Sequence, residues 1–234
     1  MKKIIVLFGL LFLCPHSKAQ NKWFTVYQDS IALVKEADKI AEKFKKAVAR
    51  LRTDKKFETQ TVLNTTPYLI YYDGQKNTVN IPLWSQVLPE LKAFTQTVTG
   101  SEAEGQRMFG LFFNGFYLIH EYGHAYQYTY DPAHSQMGYA NELLANQIAF
   151  LYWKKIGRQK ELEQCYSLAK KMFSQLKNPV PEGSTIEAYF TKNYEAATQD
   201  PFVYAYMQFG QFIAVYEDQS LPGFDDFMKA NFKK

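Results

Sequence analysis

The residues best suited to chemistry lie in the run His120-Glu121-Tyr122-Gly123-His124. An α-helix has about 3.6 residues per turn, so residues four apart project from one face, separated by about 6 Å along the axis. Two imidazoles at this spacing can bind one metal ion, and a glutamate next to the first, rotated by about 100°, lies beside that ion. The pattern therefore predicts a zinc site in which His120 and His124 are ligands and Glu121 is the general base of a hydrolase.

A buried helix must carry this pattern if both imidazoles are to face the protein interior. Ser101 followed by Glu104 is typical of the start of a helix, and the apolar segment 106–128 continues from it. The residues that flank the histidines are uncharged, as a helix in a protein core requires. The sequence thus predicts a long, mostly buried helix. The alternative is a chance match, with two buried histidines that have no other role.

A catalytic zinc ion has three protein ligands and a fourth position open to water. The extended metzincin pattern is excluded, because Gln127 and Tyr130 occupy the positions of its glycine and histidine. Two candidates for the third ligand remain, His134 in the following loop and Glu142 at the start of the next predicted helix. If the two helices form an antiparallel hairpin, Glu142 lies level with His124. This geometry favours Glu142.

The pattern His-Glu-x-x-His at 120–124, followed by Glu-x-x-Ala-Asn at 142–146, resembles the gluzincin zinc metallopeptidases, the superfamily of thermolysin-like and aminopeptidase-like enzymes. The resemblance covers roughly residues 79–150 and implies one zinc ion per chain and a peptide or protein substrate. It implies that Asn146, where the family more often has aspartate, orients an imidazole. It also implies that an edge strand at Val79–Leu83, including Asn80 and Ile81, pairs with the substrate backbone. The motifs that distinguish the branches of the superfamily are not evident.

The same resemblance implies a side chain that stabilises the oxyanion, usually a tyrosine or histidine from a later helix. Asp200 followed by Pro201 predicts the start of such a helix, which carries Tyr204 and Tyr206. These two tyrosines are our candidates for the catalytic donor, and His134 is the other option.

The pattern along the chain predicts a mainly α-helical fold with a small β-hairpin or sheet. The resemblance implies that this fold is zincin-like, with the motif helix packed against the helix that carries Glu142. Helical periodicity or helix boundaries are found over 30–51, 85–98, 139–156, 162–176, 201–216 and 223–232. Two β-rich runs, 68–72 and 79–84, flank a turn sequence and predict the hairpin. Pro82 cannot donate a ladder hydrogen bond, so the second run is expected to be an edge strand.

The first nineteen residues are typical of a secretory signal peptide. Two lysines precede an apolar run of about eleven residues, which is too short to span a bilayer. Cleavage before Gln20 would leave one zincin-like domain over 20–234, with an active-site core at about 60–156 and a C-terminal helical part at 157–234. We therefore expect export to the periplasm or the extracellular space, without stable membrane insertion.

Composition limits the remaining function classes. The formal net charge is +4, and removing Lys2, Lys3 and Lys18 with the leader lowers it to about +1. Basic runs interleaved with aromatic residues are absent, so nucleic acid is not an expected partner. Cys165 lies at helical spacing among apolar residues and is predicted to be a buried packing group. The sequence favours an exported zinc metallopeptidase. The alternative is a secreted helical domain that binds zinc or envelope partners without catalysis.

Overall fold

The computed structural model of the protein describes residues 23–66, 69–134 and 138–233, without the side chain of His134. The predicted leader and its cleavage site lie outside these residues. The described chain is mainly helical with a small three-stranded sheet. Its helices are α1 Ser30–Ala49, α2 Pro89–Thr99, α3 Glu102–Leu111, α4 Tyr117–Tyr130, α5 Tyr139–Lys155, α6 Gln159–Phe173, α7 Ile186–Ala197, α8 Pro201–Glu217 and α9 Phe224–Asn231. Within this part of the chain, no helix is both long enough and apolar enough to cross a bilayer.

Several helices begin and end where the sequence predicts. The hydroxyl of Ser101 accepts a hydrogen bond from the Glu104 N–H at 3.2 Å, and the carboxylate of Asp200 accepts one from the Phe202 N–H at 2.8 Å. Gly100 ends α2 in the left-handed conformation, with φ of 92°. Helix α7 was not predicted. It buries only Phe190 and Ala197, which is too sparse a pattern to show a helical period.

The sheet corrects one prediction about the strands. The predicted hairpin is present as β2 Tyr71–Asp73 and β3 Thr78–Ile81, which pair antiparallel. However, β1 Gln60–Leu63 pairs parallel with the other side of β3, so β3 is the central strand and the predicted edge position is wrong. Pro82 follows the last paired residue, so its missing N–H interrupts no ladder bond.

This strand order removes the basis for two predicted substrate contacts. Asn80 pairs with Val62 on one side and with Tyr71 on the other, and Ile81 pairs with Leu63. Asn80 is 8% exposed and Ile81 is 1% exposed. A substrate backbone therefore cannot add to the sheet at β3, and the prediction that Asn80 and Ile81 bind substrate in this way is wrong.

A π-helical turn, Phe112–Phe116, joins α3 to α4. Such a turn inserts one residue and frees backbone carbonyl groups from the helical pattern. The Asn114 carbonyl accepts the backbone N–H of Phe24 at 3.2 Å, and the Gly115 carbonyl accepts the indole N–H of Trp23 at 3.3 Å. A Cβ on Gly115 would lie 2.4 Å from the Phe24 ring. The segment after the predicted leader thus stabilises the start of the motif helix.

The N-terminal helix belongs to the same core. In α1, the side chains of Leu33, Ala37 and Phe44 are completely buried. The Phe44 ring lies edge-on to Tyr152 of α5, with ring centroids 5.0 Å apart. Helix α1 therefore packs into the same hydrophobic core as α4 and α5. Cys165 is also completely buried, as predicted, and burial raises the pKa of its thiol well above the usual value.

Helices α4 and α5 pack directly against each other. Contacts run from Gln127 with Asn141 at one end to His120 with Asn146 at the other, so the two helices are antiparallel. A Cβ on Gly123 would lie only 3.3 Å from the Cα of Ala145. The absence of a side chain at Gly123 therefore lets the two helices approach closely.

We expect Gly123→Leu to lower the melting temperature and to weaken metal binding. The added side chain would separate α4 from α5, and overpacking of this kind costs about 1–3 kcal/mol. Gly223→Leu is the control, because Gly223 has a φ of −64° and a Cβ added to it would meet no atom within 4 Å. Thermal unfolding and zinc titration of both variants provide the measurement. A Gly123→Leu protein as stable as the parent would contradict this description of the helix contact.

Candidate metal centre

Three predicted ligands converge between α4 and α5. The Nε2 atoms of His120 and His124 are 3.0 Å apart, and Oε2 of Glu142 lies 3.1 Å and 3.4 Å from them, respectively. The three side chains are buried, with exposures of 2% for His120, 5% for His124 and 0% for Glu142. The structure thus brings together the two motif histidines and the glutamate favoured from sequence. The side chain of the other candidate, His134, lies outside the described residues.

The geometry and the chemistry of these donors fit a zinc ion. Tetrahedral coordination with bonds of about 2.0–2.1 Å separates ligand atoms by about 3.3 Å. The observed separations of 3.0–3.4 Å among His120, His124 and Glu142 are close to this value. Two imidazole nitrogens and one carboxylate oxygen are also a common ligand set of catalytic zinc, with one position left for water.

The electrostatics of the group keep Glu142 in the form that binds a metal. Burial opposes its ionisation, but the neighbouring His124 and His120 outweigh burial and hold its pKa well below the usual value. Burial also disfavours the charged form of His124, yet the Glu142 carboxylate raises the pKa of that imidazole. A metal cation would replace protons in stabilising the same buried carboxylate.

Asn146 lies where the sequence predicts, beside the first histidine. Its Oδ1 is 2.9 Å from Nδ1 of His120. Its Nδ2 donates hydrogen bonds to Oε1 of Gln208 at 3.2 Å and to Oε1 of Gln211 at 2.9 Å. The predicted position of Asn146 behind a ligand is thus matched by the geometry, and two glutamines of α8 extend the contact.

The second histidine has a different neighbour. Asn141, at the start of α5, adds to the larger influence of Glu142 in raising the pKa of His124. Nδ1 of His124 and Oδ1 of Asn141 are both buried, and neither has a partner within hydrogen-bond distance. The other end of the Asn141 amide donates to Oε1 of Gln127. Of the two candidate ligands on α4, His120 is therefore hydrogen-bonded to an asparagine of α5 and His124 is not.

Two tyrosine hydroxyls contact the second oxygen of Glu142. Tyr194 donates to Oε1 at 2.5 Å and Tyr204 donates to the same atom at 3.1 Å. Gln208 donates to Oε2 at 2.7 Å and to the Tyr204 oxygen at 2.9 Å. Tyr204 was predicted near the site, whereas Tyr194 was missed because its helix, α7, was not predicted.

Tyr206, the other predicted donor, does not reach the site. Its ring lies against Phe173, with centroids 4.5 Å apart, in a separate small apolar cluster. Residues two apart on a helix point in roughly opposite directions, so Tyr204 and Tyr206 cannot both face the ligands. The structure therefore brings Tyr204, and not Tyr206, to the candidate ligands.

Glu121 lies beside the ligand group and also contacts the sheet. It is 7% exposed, and Tyr72 of β2 lies near enough for its backbone N–H to favour the charged form of the carboxylate. Burial raises its pKa, while the adjacent His120 and His124 act in the opposite direction. A raised pKa brings a carboxylate towards the range of a general base at neutral pH. The sheet edge next to Glu121 is therefore β2.

No family model, curated protein or solved structure matches this chain. A function for this chain is therefore inferred from the arrangement of its own residues.

Two residues of α8 near the candidate ligands, Gln208 and Gln211, were also missed from sequence. Two glutamines three residues apart in an otherwise apolar helix are nevertheless a detectable signal.

Proposed function

We propose that this chain is a gluzincin-like zinc metallopeptidase that binds one zinc ion and hydrolyses peptide bonds. The observation that supports it most strongly is the near-tetrahedral spacing of His120 Nε2, His124 Nε2 and Glu142 Oε2, with Glu121 beside them. Zinc in such a site supplies Lewis acidity and lowers the pKa of water to about 7. The zincin-like fold and export by the N-terminal leader are parts of the same proposal.

The residues around the ligands have distinct roles in this proposal. Glu121 removes a proton from the attacking water and returns it to the leaving amine. Asn146 orients the imidazole of His120 through the bond at Nδ1. Tyr204 and Tyr194 hold Glu142 through its Oε1 and are the nearest phenolic donors to it. Either hydroxyl can stabilise a developing oxyanion if it turns from Glu142 to substrate.

The edge strand β2 is the proposed docking site for the substrate backbone. It lies at the end of the sheet order β1-β3-β2 and contacts α4, with Tyr72 near Glu121. A peptide that adds to this edge would run past the proposed base. This contact replaces the one predicted for Asn80 and Ile81, and it is consistent with a peptide or protein substrate.

Cleavage of a mixed peptide library tests the proposed activity. We expect the zinc-loaded protein to cleave library members, a chelator to abolish cleavage, and added zinc to restore it. A fully zinc-loaded protein that leaves a broad library intact would instead support the alternative, a zinc-binding domain without catalysis.

A further inference from the structure

Two buried glutamines of α8 lie behind the proposed metal ligands. Gln208 is 4% exposed and Gln211 is 1% exposed, and both amides contact the carboxamide of Asn146. Burying two amide side chains is costly unless their hydrogen bonds are satisfied. Both side chains are hydrogen-bonded here. The second partner of each glutamine shows which end of its amide faces Asn146.

Each glutamine also contacts a hydrogen-bond acceptor other than Asn146. Gln211 is 2.9 Å from the backbone carbonyl of Tyr139, and a carbonyl can only accept, so its NH₂ group faces Tyr139. Its oxygen must therefore face Asn146. Gln208 likewise presents its NH₂ group to the Glu142 carboxylate at 2.7 Å and turns its oxygen to Asn146.

These two oxygens determine the orientation of Asn146. Each accepts one hydrogen from its Nδ2, at 3.2 Å from Gln208 and 2.9 Å from Gln211. Turning the amide over would place its oxygen against two other oxygens in a completely buried position, and leaving a buried polar group unsatisfied costs about 1–3 kcal/mol. Oδ1 of Asn146 therefore faces His120.

The orientation of Asn146 fixes the tautomer of His120. Oδ1 can only accept, so Nδ1 of His120 carries the ring proton across their 2.9 Å contact. In the neutral ring, Nε2 is then an unprotonated lone pair. This lone pair faces Oε2 of Glu142 at 3.1 Å. Two acceptors at this distance repel each other unless a cation lies between them.

We propose that Gln211, assisted by Gln208, is a positioning residue that holds His120 in the tautomer whose Nε2 binds the metal ion. The inference depends on the proposed metal site. The chain of bonds runs from the Tyr139 carbonyl through Gln211 and Asn146 to His120. Gln211 therefore acts on His120 through Asn146, whereas Gln208 also donates directly to the Glu142 carboxylate.

Two variants of Gln211 separate positioning from simple packing. Gln211→Met removes both the donor and the acceptor at similar volume, and we expect zinc to bind about 10- to 100-fold more weakly, as for other residues that orient metal ligands. Gln211→Glu keeps an acceptor for Asn146, and burial favours its protonated form, whose hydroxyl can still donate to the Tyr139 carbonyl. It should retain zinc affinity close to that of the parent even if its melting temperature falls.

The control is Thr99→Val, which removes a buried hydroxyl bonded to the Thr95 carbonyl in α2. Helix α2 packs on α3 and α6, away from the ligands. This variant should lower stability without changing zinc affinity. Zinc affinity is measured for all four proteins by competition with a chelator.

Nitrogen NMR of histidine-labelled, metal-free protein reads the tautomer directly, at a pH where the imidazoles are neutral. We expect the ring proton of His120 on Nδ1 in the parent and in Gln211→Glu, and a mixture of tautomers in Gln211→Met. A parent with the proton on Nε2 would overturn the inference without any variant, as would unchanged zinc affinity in Gln211→Met. A parent that shows the expected tautomer but binds no zinc would instead refute the metal site, and with it a metal-positioning role for Gln211.

Discussion

Glu121→Gln should keep the fold and the bound zinc while losing about 100- to 10,000-fold in the rate of peptide hydrolysis. The amide has nearly the shape of the carboxylate and can occupy the same space beside Tyr72. Glu121 is not one of the three converging ligands, so metal binding should persist. The amide cannot accept a proton from water at neutral pH. The measurement is kcat/KM for a cleaved peptide, with zinc content determined on the same samples.

Glu104→Gln is the matched control for this substitution. Glu104 lies in the first turn of α3, where its partly exposed side chain pairs with Arg107 at 3.2 Å, so its loss should leave kcat/KM unchanged. Equal cleavage by the parent and Glu121→Gln would contradict the proposed mechanism and would indicate a contaminating protease or a different base. Loss of zinc from Glu121→Gln would show that Glu121 is itself a ligand, in addition to or instead of being the base.

Glu142→Gln has the second large expected effect, a loss of zinc affinity of more than about 100-fold, beyond the range for residues that only orient ligands. The substitution removes the charge that His120 and His124 face at 3.1 Å and 3.4 Å. It also places an amide where Tyr194, Tyr204 and Gln208 all donate. Zinc affinity is measured by chelator competition, and circular dichroism tests whether the fold is retained.

His134→Ala provides the comparison for Glu142→Gln. This histidine was the other candidate for the third ligand, and we expect its substitution to leave zinc affinity close to that of the parent. If His134→Ala loses zinc while Glu142→Gln retains it, the loop histidine is the ligand and the assignment of Glu142 is wrong.

The convergence of the three candidate ligands could be predicted from sequence because local rules determine their positions. Helical spacing places His120 and His124 on one face, and a short loop between two helices makes the hairpin that brings Glu142 level with them. The mainly helical class with a small sheet followed from the helical periodicity and the β-rich runs. The antiparallel contact of α4 and α5 agrees with that prediction.

The features that were missed or wrong depend on long-range contacts. Tyr194 reaches Glu142 across 52 residues of sequence. The central position of β3 depends on β1, a strand of four residues that lacks a strong pattern of its own. Strand order is set by which segments meet in the fold, and a single strand sequence does not encode it.

The π-helical turn at Phe112–Phe116 could not be predicted either. The apolar run through this region has no proline to mark a break. One inserted residue rotates the rest of the helix by about 100° relative to α3. His120 therefore faces α5 because of this turn, which is stabilised by the distant residues Trp23 and Phe24.

Anomalous scattering at the zinc absorption edge, from crystals grown with zinc, tests the proposed metal site most directly. We expect one peak per chain, about 2.0–2.2 Å from Nε2 of His120, Nε2 of His124 and a carboxylate oxygen of Glu142. A peak held by other residues, or no peak among these three side chains in zinc-saturated crystals, would contradict the site.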